Sequence, residues 1–495
     1  MIGPDNFHAL FDPSGIVVAG ASTHPGKFGF VALHNILACG FTGEVFATNR
    51  DRAEVLGIQT LADLSEVPAG AADLVFVCTP ASTNPDLLRQ AADRGIRAAF
   101  IASAGYGESG DDGRRLQDEL ASLADDLGIL IVGPNGQGLV STPSSLCAQI
   151  VAPYPPSGSI GVASQSGNFV SSFLNLSTQS GVGISRAISV GNAAQVGVVD
   201  MLEYFADDPA TSVGLCYLEG ITDGRRFADR LEAVCRRMPV VVLKGGASGS
   251  GARAAASHTG SLATDDRVFD GLCRQVGATR ACSVAEAFDL AAAFATQPPP
   301  PGPRLAIVTT VGGWGVLAAD ATATTGLELV DLPDDLHATL DGLLPPRWSR
   351  NNPIDLAGGE TKDTIPAVLD AVVSDPTVDG VVLLGIGIQS NQGRLEHDGP
   401  FYPDHGLERI VAYHDRQDTR YVDVANECSA RAGKPVMIAT ELAIADPGNA
   451  AVRAVRAAHR YCFPSAERAV IALDRLWQRE RWLGSITTAG DTPTT

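Results

Sequence analysis

Pro239-Val-Val-Val-Leu-Lys-Gly-Gly246, running on to Gly251-Ala-Arg-Ala-Ala-Ala-Ser-His-Thr-Gly-Ser-Leu-Ala263, is the stretch from which the fold of this chain is read. An apolar β-branched run, a glycine turn and then an exposed polar group is how a parallel α/β sheet brings chemistry to the carboxyl edge of its strands. Small residues surround the imidazole of His258, so backbone and ligand can approach it closely. A neutral imidazole is a nucleophile and accepts a phosphoryl group. His258 is therefore the leading catalytic candidate, set against a histidine that merely occupies a small-residue loop.

Upstream, the same pattern recurs. Ser159-Ile-Gly-Val-Ala163 is a strand pattern ending in Ser164-Gln-Ser-Gly167, and a helical pattern with Phe169, Val170, Phe173 and Leu174 follows. A helix opening on Ser-x-Ser-Gly leaves N–H groups and hydroxyls facing whatever lies before it. Ser164, Gln165, Ser166 and Gly167 thus form a candidate anion site; an ordinary serine N-cap is the competing use. Two more strand patterns, 183–188 and 212–218, run into Ser189-Val-Gly-Asn192 and Glu219-Gly220. Glu219 then tops a buried strand in the sheet that leads to His258. A carboxylate there fixes an imidazole's tautomer and stabilises its positive charge; a solvated acid at a strand end is the alternative.

Toward the start of the chain, Gly15-Ile-Val-Val-Ala-Gly20, a helical spacing over 30–39 and Glu44-Val-Phe-Ala-Thr48 read as a βαβ unit with a phosphate-cradling turn. The turn Gly20-Ala-Ser-Thr-His-Pro-Gly-Lys-Phe-Gly29 is no Walker loop: five residues separate Gly20 from Gly26, and Phe28 follows Lys27. The second strand ends Thr48-Asn49-Arg50, without the acid that holds an unphosphorylated ribose. That favours coenzyme A, with its 3′-phosphate, or NADP over NAD. Later strand patterns, 73–79, 98–102 and 128–132, run into Pro80, Ser103-Ala-Gly-Tyr-Gly-Glu108 and Gly133-Pro-Asn-Gly136. Loops after successive parallel strands fall on one sheet edge, so these turns line one crevice; tight turns that simply need Gly and Pro are the alternative.

The segment from Lys244-Gly-Gly to Ala263 resembles the phosphohistidine segment of ADP-forming acyl-CoA (acetyl-CoA) synthetases, relatives of succinyl-CoA synthetase. The resemblance covers about residues 8–480 and includes Ser164-Gln-Ser-Gly-Asn168, Tyr217-Leu-Glu219-Gly, Ser189-Val-Gly-Asn192, Asp208-Pro209, Gly20-Ala-Ser22 with Pro25-Gly-Lys27, and Gly133-Pro-Asn135. It implies a Rossmann-like CoA-binding domain followed by two flavodoxin-like (succinyl-CoA synthetase-like) domains. It implies His258 as the phosphorylated nucleophile with Glu219 orienting it. CoA would be held by Gly20, Ser22, Lys27, Asn49, Thr79, Pro80, Ser103, Gly105, Glu108 and Asn135. One departure is Gly136, where relatives often carry Cys beside the thioester.

Gln297-Pro-Pro-Pro-Pro-Gly-Pro303 is a stiff linker. Behind it, Arg304-Leu-Ala-Ile-Val308 feeds Thr309-Thr-Val-Gly-Gly-Trp-Gly315, which resembles the family's other phosphate-facing helix, with Trp314 in place of Pro and Gly312 and Gly313 as candidate anion ligands. Asn352-Pro-Ile-Asp355 looks like a family turn. Residues 389–421 are polar and without clear periodicity, and read as an insertion or mobile loop. Their histidines, His397, His405 and His414, read as solvated rather than as metal ligands, and no metal site is expected. The expected domains are 1–145, 150–297 and 303–482, with a disordered tail over 483–495.

Composition sets the outer limits. A chain of 495 residues suggests about three domains of ~150 residues, and 45% hydrophobic content with 53 Gly and 30 Pro is that of a loop-rich α/β enzyme. No apolar run reaches the ~18 residues of a membrane span, and the start lacks a secretory pattern. An odd number of cysteines, 9, without a C-x-x-C pair points to reduced thiols and a cytoplasmic setting. A net charge of −20 repels nucleic acid and anionic membranes, so phosphates must be held by local amides and a few placed cations.

The resemblance further implies an α-type subunit that interconverts acyl-CoA, phosphate and ADP with acid, CoA and ATP through an acyl phosphate and a phosphohistidine. The ATP-grasp region that binds ADP or ATP and Mg has no counterpart in this sequence, which implies a separate ATP-grasp β-type partner and an oligomer. Two alternatives stand beside this reading: a non-catalytic CoA- or acyl-CoA-binding regulatory protein of the same fold, and an NADP-dependent oxidoreductase.

Overall fold

The computed structural model describes every residue except 1, 152, 222, 249, 252, 254–264, 357, 359–361 and 491–495, with the backbone alone for 488–490. His258 and the loop around it lie outside the described residues. The chain divides into two compact units, the first reaching Ala291 (Ser180–Val182 excepted) and the second starting at Ala292.

The first unit holds two sheets. In the first, the strands stand in the order Glu44–Thr48, Gly15–Ala19, Leu74–Val77, Ala98–Ile101 and Leu130–Val132, every pairing parallel. Gly15–Ala19 is buried along its whole length, as expected of a strand covered on both faces by helices, and that is why it reads as an unbroken apolar run. Strand order reverses between Gly15–Ala19 and Leu74–Val77, the place where open α/β sheets take ligands. The helix Phe28–Ala38 follows the first strand. A Cβ at Gly29 would stand 2.2 Å from the Gly20 carbonyl oxygen, so only glycine lets helix and turn close on one another.

The second sheet runs Thr279–Ala281, Val240–Lys244, Val213–Leu218, Ser157–Ser164, Ile184–Ser189, Gly138–Ser141, Leu146–Gln149. Five strands are parallel, and the last two form an antiparallel hairpin on the edge that periodicity alone did not signal. Register places Ser164 opposite both Ser189 and Tyr217, and Leu218 opposite Lys244. The chemistry-bearing residues of this domain therefore end their strands level with one another. A buried ion cluster ties the parts of this unit together: Arg186 reaches Asp12 at 2.7 Å and Asp208 at 3.0 Å.

In the second unit the order is Glu328–Leu329, Arg304–Thr309, Gly380–Leu384, Val436–Ala439, Cys462–Phe463, all parallel, with Ile354–Asp355 also pairing on Arg304–Thr309. Asn352 stitches this edge: its Oδ1 accepts from the Ile307 N–H, and its Nδ2 donates to the carbonyls of Leu305 and Val330. Two expectations are corrected here. Residues 389–421 are not one loop but fall mostly in two helices, Ile388–His397 and Leu407–Ala432, joined by turns over 398–406. The buried stripe of the longer helix includes Gln417 and Asp418 beside Tyr421, Val422, Ala425 and Cys428, so polar side chains interrupt its apolar signal. Asp418 is tolerated because it accepts from the N–H groups of Gly387 and Ser390 and from the Ser390 hydroxyl. The tail expected from 483 is helical to Gly490, as the end of Ala466–Gly490; residues 491–495 lie outside the described residues.

Candidate active site

Ser164 ends the central strand of the second sheet fully buried. Its hydroxyl donates to the Ser166 carbonyl at 2.6 Å and accepts the Ser166 N–H at 3.1 Å, locking the three-residue turn into the helix Gly167–Ser180. The first N–H groups of that helix have no partner within it, so Gly167 and its successors face the space before the helix with the positive end of the helix dipole behind them. Gln165 also makes contacts of its own with the next strand end. Its N–H goes to the Tyr217 carbonyl, its Oε1 accepts the N–H groups of Glu219 and Gly220, and its Nε2 donates to the Gly220 carbonyl at 3.2 Å. The anion turn thereby carries the backbone on which Glu219 stands.

Tyr217 is a residue that sequence reasoning passed over. Its ring stacks on Phe169, with centroids 3.7 Å apart. Burial, then the nearby charge of Glu219, push the phenol up to about 12. Lys244, at the end of the next strand, is buried beside Phe269, with Nζ 5.6 Å from the ring centroid and 3.9 Å from Asp266. Burial lowers its ammonium below the usual lysine range.

The crevice at the edge of the first sheet is a cavity of about 560 Å³ with Gly20, Asn49, Arg50, Thr79 and Pro80 in its wall. Ser22 and Lys27 lie on the turn beyond Gly20, and Lys27 is the N-cap of the helix. Asn49 latches the turn by donating to the Ala21 carbonyl at 2.8 Å. The hydroxyls of Thr79 and Ser103 are knitted to the fully buried Asn84, whose Nδ2 also reaches the Tyr106 hydroxyl at 2.8 Å. Neither Asn84 nor Tyr106 is visible as a site residue in the sequence, because their contacts span loops.

The later turns interlock with the second sheet. Glu108 accepts from the N–H groups of Gly105 and Tyr106, and from Asn192 Nδ2 at 2.5 Å. Burial pushes its carboxyl up, but these hydrogen bonds outweigh it and hold the group below the usual glutamate range. Asn135 sits at φ 63°, and its Nδ2 reaches Asn192 Oδ1 at 3.4 Å. The CoA-side turns and the turn 189–192 are thus one connected edge. At Gly136 a Cβ would stand 2.5 Å from the Phe100 ring and 2.9 Å from the Ser189 carbonyl, so this backbone leaves no room for a side chain there.

The second unit repeats the anion turn. Thr309 Oγ1 donates to the Val311 carbonyl at 2.8 Å and accepts the Val311 N–H at 2.9 Å, ahead of the helix Gly312–Thr322. The Thr310 N–H goes to the Leu384 carbonyl, just as that of Gln165 goes to Tyr217. By register, the place of Glu219 falls on Ile386 here, so the second unit has no carboxylate at that strand position. Asp355 packs over Gly312, where a Cβ would stand 2.6 Å from its Oδ2.

Comparison with known proteins draws on the same elements. Residues 157–294 match the family model described as succinyl-CoA ligase like flavodoxin domain, 14–141 the CoA binding domain, and 305–387 the ligase-CoA domain. The alpha subunit of ADP-forming acetate–CoA ligase I of Pyrococcus furiosus is 35% identical over 77% of this chain and 82% of its own length. The chain belongs to the ADP-forming acyl-CoA synthetases. An ADP-forming acetate–CoA ligase of Archaeoglobus fulgidus is 36% identical over 76% of this chain but only 54% of its own. Among solved structures, the acetyl-coenzyme A synthetase 1 of Ca. Korarchaeum cryptofilum, in complex with phosphate and ADP, matches with a TM-score of 0.83 at 29% identity over 98% of this chain and 99% of that one.

As a member of this family the chain is an acid–thiol ligase, an acyl-CoA synthetase whose Rossmann-like CoA-binding domain precedes two flavodoxin-like domains. CoA and a nucleotide are the co-substrates of that family. The NADP reading of the first βαβ unit gives way to the CoA binding domain match. No helix among the described residues is long and apolar enough to cross a membrane, and none of the nine cysteines is in a disulfide.

Proposed function

We propose that this chain is the α-type half of an ADP-forming acyl-CoA synthetase acting on a small acyl-CoA in the cytoplasm, and that an ATP-grasp β-type partner holds ADP or ATP and its Mg in an oligomer. Phosphate attacks the thioester carbonyl of acyl-CoA, the C–S bond breaks, and acyl phosphate and free CoA result. A ring nitrogen of His258 then attacks the phosphorus, the carboxylate leaves, and phosphohistidine forms; ADP takes the phosphoryl group on the partner. Glu219 orients the imidazole and stabilises its positive charge.

CoA phosphates go to the turn with Gly20, Ser22 and Lys27, and the rest of the molecule to the wall of Asn49, Thr79 and Pro80. The remaining CoA-side turns carry Ser103, Gly105, Glu108 and Asn135. Phosphate is assigned to the turn of Ser164, Ser166 and Gly167 and, in the second unit by itself, to Gly312 and Gly313. The domain divisions at 145–150 and 297–303 belong to the same reading.

The observation that carries it is the anchoring of Glu219 to the anion turn through Gln165, at the end of the strand beside the one leading to His258. The longer Archaeoglobus relative, only 54% covered by this chain, supports the need for a second component. The test is reconstitution. With acyl-CoA, phosphate and ADP, the purified chain should make no ATP alone and should make it once a cognate ATP-grasp subunit is added. ATP from the chain alone would overturn the division of labour.

A further inference from the structure

Gln137 stands where the CoA-side turns meet the anion turn of the first unit. It follows Gly133-Pro-Asn-Gly136 and precedes the strand Gly138–Ser141. The turn beneath it is tied down along its length. The Asn135 N–H goes to the Ser103 carbonyl at 3.0 Å, the Pro134 carbonyl accepts from the Asn192 N–H at 2.9 Å, and the Gly133 carbonyl accepts from the Ala194 N–H at 3.0 Å. The carbonyl of Gln137 itself accepts the Ile150 N–H at 3.1 Å. From that base its side chain lies across the first residue of the helix Gly167–Ser180: a Cβ at Gly167 would stand 2.5 Å from its Oε1, and closer still to Cγ and Cδ. Its Nε2 donates to Asn168 Oδ1 at 3.2 Å. Its Oε1 is buried and, among the described residues, accepts no hydrogen bond.

Packing does not account for the amide. A buried carbonyl without a donor costs stability, and an apolar side chain of the same length would cover Gly167 without that cost. What the amide adds is its hold on Asn168, whose Oδ1 makes no other hydrogen bond among the described residues. Asn168 is exposed and sits in the first turn of the helix. Asparagine side chains in such places turn back on neighbouring backbone N–H groups, the donors that an anion at the helix start would use. We propose that Gln137 is a positioning residue for phosphate: by engaging Asn168 Oδ1, it keeps that oxygen off the free N–H groups of the anion turn. The inference rests on the reading that assigns phosphate to the turn of Ser164, Ser166 and Gly167. The same contact gives the turn that carries Asn135 a direct link to the turn that receives phosphate.

The test uses the chain reconstituted with its ATP-grasp partner, measuring ATP synthesis from acyl-CoA, ADP and inorganic phosphate with each varied in turn. Gln137→Met keeps the length of the side chain and its cover over Gly167, and removes the amide. The melting temperature should not fall, because the carbonyl that is lost had no donor. KM for phosphate should rise about tenfold, the scale of one competing hydrogen bond, while KM for acyl-CoA stays at the wild-type value. Adding Asn168→Ala to Gln137→Met removes the competing oxygen and should bring KM for phosphate back toward wild type. A purely structural role for Gln137 gives no such recovery.

A Gln137→Met enzyme with the wild-type KM for phosphate overturns the proposal, as does a raised KM that Asn168→Ala fails to lower. A lower melting temperature with KM raised equally for acyl-CoA makes Gln137 a packing residue and overturns it too. Ser164→Ala with an unchanged KM for phosphate would instead overturn the reading of the anion turn, and the role of Gln137 with it.

Discussion

Lys27 closes the glycine turn as the N-cap of Phe28–Ala38, with its side chain exposed. In a chain of net charge −20 it is a placed cation beside a helix N-terminus. Lys27→Glu reverses that charge, so CoA affinity should fall by about 1–3 kcal/mol, the worth of a charge-assisted hydrogen bond; titration calorimetry with CoA reads this directly, and unchanged affinity would reassign the turn. Gly20, Ser164 and Gly312 were legible in the sequence because a turn or a helix start restricts which residue types fit. The contacts of Gln165 and Asn84 were not, because they arise between distant positions: Gln165 reaches Glu219 across 54 residues and Asn84 reaches Tyr106 across 22. Spacing along the chain carries no trace of such pairs.

At the scale of elements, strands buried on both faces announce themselves as apolar runs, and the principal parallel strands were placed to within a few residues. The helices Ile388–His397 and Leu407–Ala432 were missed because their shared face buries hydrogen-bonded polar groups. Burial pushes the Asp418 carboxyl up, partly opposed by the hydrogen bonds from Ser390 and Gly387.

The strand Ile184–Ser189 illustrates the opposite balance. Its Arg186 stands between Asp12, past the end of the helix Pro4–Phe11, and Asp208, the C-cap of Val198–Asp207. Burial alone would push the Asp208 carboxyl up, but the Arg186 guanidinium holds it below the usual range. A depressed folded-state value contributes stability above the unfolded carboxylate value of about 3.9, lost as pH falls through the folded one. Arg186→Leu leaves the buried Asp208 carboxylate without its cation and should destabilise by about 3–5 kcal/mol at neutral pH. Urea denaturation should show that deficit shrinking below pH ~4, as the carboxyls protonate. A deficit independent of pH would assign the loss to packing instead.

For the whole molecule, each of the three main parallel sheets ends its strands in small-residue turns at one edge, and Gln165 couples the anion turn to Glu219. The proposed anion turn stands at the same strand ends as Glu219, and in sequence the strand Val240–Lys244 precedes the segment that contains His258. The claim on which the rest depends is that His258 takes the phosphoryl group. The most direct measurement is labelling of the reconstituted enzyme with phosphoryl-labelled ATP, followed by acid and alkali stability and by His258→Ala. Wild type should gain one acid-labile, alkali-stable phosphoryl group at His258, and His258→Ala should lose label and turnover while still binding CoA. Normal turnover with Ala at 258 would contradict the mechanism.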